Sequence, residues 1–189
     1  IPQISIKKCE SYDYEILKHS LPELLDNLGG LKKIIRPGMK ILIKPNLLGP
    51  ASPDEAITTN PVLIKILIEM ILDMGAIPFV GDSPGVYAHD IEKVWKNTGM
   101  YDVCKETGVK LIKFESKVKA ITIGNDIIYL TSFIDEFDAI ISVPKLKTHS
   151  ITVFSCAVKN LYGLVPGYTK TMYHRMHDSS DKLGDFFVK

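Results

Sequence analysis

Cysteine is scarce in this chain: Cys9, Cys104 and Cys156 are odd in number and far apart among 189 residues. Neither a disulfide framework nor a zinc or iron–sulfur ligand pattern can be read from them, and each is most simply a small apolar residue. Long apolar runs are also missing. The most apolar stretch, 61–74, is too short for a bilayer, and Lys65, Glu69 and Asp73 recur in it every four residues as a solvated stripe, which argues against a membrane span. A large net charge is lacking too: at +1 the chain has no electrostatic footprint for coating nucleic acid. No positively charged leader with an apolar core opens the sequence, so a cytoplasmic home is expected. Ile1 in place of a starting Met, and an apolar stretch running to Lys189, suggest part of a longer product. With no internal repeat and no low-complexity linker, residues 1–189 are expected to form a single α/β domain, with an irregular, loop-rich tail at 163–189.

The most localised absence is of acid. No Asp or Glu occurs between Asp138 and Asp178, a window that holds Lys145, Lys147, Lys159, Lys170 and Arg175 beside His149, His174 and His177. Taking those five bases from the 23 in the chain leaves 18 against 22 acidic residues, a balance of −4 for the remainder. Two ammonium groups about 4 Å apart repel by roughly 1 kcal/mol in water and roughly 4 kcal/mol at an effective dielectric of 20. Such a cluster either splays into solvent or shares an anion.

Around this segment the pattern alternates strand and helix. Residues 3–8, 39–44, 77–80, 109–114 and 139–143 read as strands, and 14–28, 90–96 and 101–107 as helices. Asn60 and Pro61 open another helix that Gly75 closes. Residues 120–123 and 127–130 flank Gly124, Asn125 and Asp126 as a hairpin. Residues 151–162 read as a helix stopped at Gly163. The expected fold is α/β, a mainly parallel sheet flanked by helices with an attached β-hairpin.

Three of the strands run into polar clusters: Lys44, Pro45 and Asn46; then Gly81 to Gly85; then Pro144 to His149. In open α/β sheets ligands bind outside the carboxyl ends of the strands, so parallel neighbours would bring the three clusters to one crevice. Thr148 or Ser150 would cap the following helix, whose N-terminus with Lys145 and Lys147 would cradle a phosphate or carboxylate. This is not a Walker motif, because no Gly-rich loop precedes a Lys-Ser/Thr pair. Gly81-Asp82-Ser83-Pro84-Gly85 matches the nucleophile elbow, but the elbow needs an N–H after the serine and Pro84 has none. Ser83 and Asp82 are therefore read as a fixed turn or as ligand or metal contacts. His149 follows two lysines that favour its neutral form and suits a general acid/base. His174 and His177, at i, i+3, would make a metal pair only on a helix that the pattern does not show, and no metal is assigned to them.

The ordered set KPN at 44–46, TTNP at 58–61, GDSPG at 81–85, PKLKTH at 144–149 and KN..G..PG..K...H at 159–174 resembles domain-of-unknown-function family 362 over most of the chain. The resemblance implies association with ferredoxin-like modules carrying iron–sulfur clusters, hence a redox connection, whereas the clustered cysteines such modules need are missing here. A cluster is expected only on another segment or a partner. Two function classes stay open. One is an enzyme on a small anionic metabolite, in which Lys44, Lys145, Lys147, Lys159, Asn160 and Lys170 hold the anion, Asn46 and Ser83 orient it, and Asp82 or His149 moves a proton. The other is a non-catalytic metabolite- or metal-binding module serving an iron–sulfur electron-transfer partner. Neither nucleic acid nor membrane is expected as a partner.

Overall fold

Four short apolar segments, each launched from a turn, pair side by side as parallel strands. In the computed structural model, which describes residues 3–124, 126–177 and 179–188, these are β1 (Lys40–Pro45), β2 (Ile77–Asp82), β3 (Lys110–Lys113) and β6 (Ala139–Val143), in the order β3-β2-β1-β6. β1 is central, with Ile43 opposite Val80 on one side and Ile141 on the other. A parallel strand covered on both faces needs an unbroken apolar run, and Ile41, Leu42 and Ile43 supply one with no exposure at all.

The two faces of β1 pack against different layers. Ile41 and Ile43 join Val80 and Val143 against α1 (Tyr14–Asp26), α2 (Pro61–Asp73), α3 (Ile91–Asn97) and α4 (Met100–Thr107). Leu42 points the other way, to Ile112 and Phe114, as period-two alternation requires. α2 begins where the Asn60 side chain accepts the Val62 N–H at 2.9 Å and Pro61 presets the first helical turn. It buries Ile64, Ile66, Leu67, Ile68 and Ile71 and ends before Gly75, whose φ of +71° suits glycine.

The sheet carries the expected antiparallel attachment, β4 (Val118–Ile123) and β5 (Asp126–Thr131), with Ile121 opposite Ile128; of the expected turn, Asn125 lies outside the described residues. Three expectations fail. Residues 3–8 form no strand: Ile4 and Ile6 are 82% and 90% exposed, with no neighbouring edge to pair with. Residues 151–162 are not one helix. The β-branched run Ile151, Thr152 and Val153 turns instead, and β7 (Lys147–His149) pairs antiparallel with β8 (Val153–Ser155) before the five-residue α5 (Ala157–Leu161). The segment from 163 is not loop-rich but forms α6 (Gly167–Met176) and α7 (Ser180–Phe187).

Those last helices exist because they have something to cover. Tyr173, Leu183 and Phe186 pack with Tyr162 and Val165 against Ile128 of the β4–β5 hairpin, with Ile121, Ile123 and Leu130 alongside. The Tyr173 hydroxyl accepts the Tyr129 N–H at 2.8 Å and donates to the Ile127 carbonyl at 3.0 Å.

Because Ile43 sits at the centre of the helix-covered face, Ile43→Ala is expected to lower unfolding free energy by about 2–5 kcal/mol in urea melts. Leu72→Ala, on the solvent side of α2, is expected to stay within about 0.5 kcal/mol of the parent.

Candidate functional site

β1 and β2 end side by side, so the residues that close them meet. Lys44 lies two positions after Leu42 and emerges on the same face, beneath α5. Its Nζ sits 2.6 Å from Asp82 Oδ1, the two side chains being 1% and 4% exposed. The ammonium also donates to the Pro45 carbonyl at 3.0 Å and to Asn160 Oδ1 at 3.2 Å, while Asp82 Oδ2 accepts the Leu47 N–H at 2.7 Å. Removing both ions from water costs several kcal/mol each, and this set of bonds offsets it. Burial holds the Lys44 pKa below its ordinary value, against the upward pull of the Asp82 charge.

Gly163 explains how the pair is closed over. A Cβ there would lie 2.1 Å from Asp82 Oδ1 and 2.3 Å from Lys44 Nζ, so only glycine fits. Asn160 fastens the same lid, its amide donating to the Lys44 carbonyl and to Ser142 Oγ, each at 3.0 Å. On the other flank the Thr59 hydroxyl donates to the Val143 carbonyl at 2.7 Å and accepts the Asn46 N–H at 2.8 Å, joining the loop after β1 to the end of β6.

A second knot ties in α6. Ser83 Oγ donates to Glu115 Oε1, which also accepts the Gly167 N–H at 3.3 Å, and Lys170 Nζ donates to the Ser83 carbonyl. The Ser83 N–H reaches the Gly163 carbonyl at 3.2 Å. Ser83 is thus a packing link with its hydroxyl committed to a carboxylate.

Beside these knots a cavity of about 240 Å³ opens at the strand ends, lined among others by Lys44, Asp82, His149, Lys159, Lys170 and His174. It lies over the carboxyl ends of β1 and β2, the side of a parallel sheet on which α/β proteins take ligands. Its volume lies under the roughly 300–1,000 Å³ of sites for drug-sized ligands, which suits a molecule of few heavy atoms. Burial, then the Lys147 charge, brings Lys159 down to about 8. Burial brings Lys170 down to about 8 as well, opposed by Asp82. His149 and His174 are both pushed below the usual imidazole value, first by burial and then by the Lys159 charge.

His149 has a defined tautomer. Its Nδ1 accepts the N–H groups of Ile151 and Thr152, both at 3.2 Å, so the neutral ring carries its proton on Nε2. In that form His149 turns an N–H donor outward, where the sequence suggested a general acid/base. Asp82 departs from its expected role in a related way: engaged by Lys44 and by the Leu47 amide, it acts as a counter-ion.

The cavity gathers eight of the ten residues singled out from the sequence, all but Lys145 and Lys147. Lys145 reaches outward, its Nζ 3.2 Å from the Tyr12 hydroxyl, and Lys147 donates to the Ile57 carbonyl at 2.6 Å. The expected helix-terminus cradle after Ser150 is replaced by the β7–β8 hairpin. Glu115, Thr59 and Gly163 were missed as site builders. Gly163 and Thr59 fall in the motifs at 159–174 and 58–61, but as a helix stop and a helix-start neighbour they give no sign of the ion pair and strand end they serve, and nothing local to Glu115 marks a partner so distant in the chain. His174 packs edge-on against Tyr162 at 5.8 Å, whereas His177 stacks on Phe186 at 4.6 Å. Among the described residues no three His, Cys, Asp or Glu side chains gather as a metal site. Cys9 is exposed, and burial raises the Cys104 thiol to about 12, so the cysteines do not fit an iron–sulfur cluster.

The fold and cavity define an α/β protein with a small cationic site at the carboxyl ends of a parallel sheet. The chain belongs to the family described as "Domain of unknown function (DUF362)", whose model matches residues 41–189. It is 28% identical over 191 residues to a thylakoid-associated protein of Synechocystis sp., an alignment that covers all of this chain and 59% of that protein. The chain therefore spans about three fifths of the length of that relative. No solved structure matches it. Among the described residues no helix is long and apolar enough to cross a membrane.

Two glycine substitutions separate the site lid from ordinary helix. Gly163→Ala is expected to destabilise by about 1–3 kcal/mol through overpacking against the ion pair. Gly184→Ala in α7, where a Cβ meets nothing within 4 Å, is expected to leave stability unchanged or raise it by up to about 1 kcal/mol. Chemical denaturation of the two variants checks both.

Proposed function

We propose that the protein binds a small anionic metabolite, a phosphate or carboxylate, at the carboxyl ends of β1 and β2, and acts on it as an enzyme. The observation carrying this reading is charge: the described lining holds three lysines and two histidines against one carboxylate, Asp82, which Lys44 already neutralises. Lys170 and Lys159 supply the uncompensated positive charge, and His149 contributes an N–H that can polarise a bound oxygen. Lys145 and Lys147 belong to the neighbouring surface in this reading. A non-catalytic module feeding a ferredoxin-like partner is the alternative, and it would show no turnover to lose. The cytoplasmic placement is part of the proposal, and cell fractionation tests it; the thylakoid association is a property of the relative.

A thermal-shift screen of phosphates, nucleotides, carboxylates and divalent metals is the first test. An anion-dependent rise in melting temperature is expected, roughly tenfold weaker in apparent affinity for Lys170→Ala and unchanged for Lys145→Ala. No response to any anion would sink the reading. Once a substrate is found, His149→Ala is expected to lose turnover while keeping anion affinity within a few-fold.

The pH dependence has opposite signs for binding and for stability. Anion affinity should fall as pH rises through about 8, where Lys159 and Lys170 lose their protons. Their folded-state values lie below the ordinary 10.5, so between about 8 and 10.5 the unfolded chain holds more protons. In that window the contribution of these two lysines to stability rises with pH. Titration calorimetry and ligand-free melts across pH 7–10 check the two signs separately.

A further inference from the structure

We infer that Lys159 is an amine nucleophile that captures the carbonyl carbon of a small 2-oxo acid as an imine. The inference rests on the anion-binding reading above and adds to it a substrate class and a covalent step.

Three lysines reach the cavity and two of them are committed. Lys44 is held by Asp82, Pro45 and Asn160, and Lys170 donates to the Ser83 carbonyl. The Lys159 amine makes no ion pair and no hydrogen bond among the described residues; its Nζ lies 5.7 Å from the centre of the Phe187 ring. Its base is nevertheless fixed, because the adjacent Asn160 is buried and bonded to the backbone of Lys44. An amine carried from a fixed backbone position, with an aromatic ring beside it and no hydrogen-bond acceptor holding it, is the geometry a nucleophile needs.

Protonation favours it as well. With its pKa lowered to about 8 by burial and by Lys147, roughly a tenth of Lys159 is free amine at pH 7, against less than about a thousandth of an ordinary lysine. The surroundings match the two ends of a 2-oxo acid. Lys170 offers a cation to the carboxylate, and the Nε2–H of neutral His149 offers a donor to the ketone oxygen.

The step balances without an oxidant or reductant. The amine lone pair forms the C–N bond as the C–O π bond breaks, and the two amine protons leave with that oxygen as water. The product is a neutral imine.

The test uses glyoxylate and pyruvate with sodium cyanoborohydride at pH 7, followed by peptide mass spectrometry. Reductive labelling is expected at Lys159 at least tenfold faster than at the exposed Lys32, slowed by inorganic phosphate, and absent in Lys159→Arg. The phosphate-dependent thermal shift of the parent protein is measured alongside, as the separate readout of the anion site. Equal labelling of Lys159 and Lys32, or no adduct at Lys159 while phosphate still shifts the melting temperature, would overturn the imine and spare the anion site. No adduct and no phosphate shift would overturn both.

Discussion

The buried contact between Lys44 and Asp82 is the constraint around which the site is arranged. An isolated charge cannot be kept at the end of a fully covered parallel strand, since either ion alone would face a desolvation cost of several kcal/mol with nothing opposite it. Each strand end therefore requires the other. Their carbonyl and amide neighbours then require Asn160, and the space above them requires a residue without a side chain at 163. From there the chain continues into α6, which returns Lys170 to the Ser83 carbonyl. One ion pair thus dictates the path of roughly thirty residues beyond the sheet.

The same contact divides the charges between structure and chemistry. Asp82 offsets the ammonium that lies nearest the core and leaves the outer lysines uncompensated. Burial is what depresses Lys159 and Lys170, in Lys170 against the pull of Asp82, and burial with the Lys159 charge lowers the adjacent His149 too. Cationic character and ready proton loss thereby coexist in one small cavity. An anion entering it would restore the missing countercharge.

Much of this was legible in the sequence where a local rule decides the outcome. Apolar runs between turns at 39–44, 77–80 and 139–143 have few conformational alternatives, and Asn60-Pro61 marks a helix start by hydrogen bonding and preset φ. The polar residues closing β1 and β2 do line the cavity, whereas of the third cluster only His149 reaches it. What could not be read was nonlocal. Residues 151–155 are too short a stretch for periodicity to separate strand from helix, and their hairpin is fixed by pairing with 147–149. α6 and α7 are irregular in pattern because Tyr173, Leu183 and Phe186 find their apolar partners on the β4–β5 hairpin and not within their own helices. The pairing of Asp82 with Lys44 was hidden for the same reason. A carboxylate after a strand looks like a base until its counter-ion, 38 positions earlier, is seen.

The phenol of Tyr173 carries a consequence for how this protein avoids its own kind. A two-stranded ribbon has two open edges, and each unpaired N–H and C=O along them is a template for another chain. By taking the Tyr129 N–H and the Ile127 carbonyl on one hydroxyl, Tyr173 occupies adjoining positions on the outer edge of β5. The helix that brings Lys170 to the site is, three residues further on, also a guard against strand recruitment. Binding chemistry and protection of the strand edge are in this way anchored to a single turn of α6.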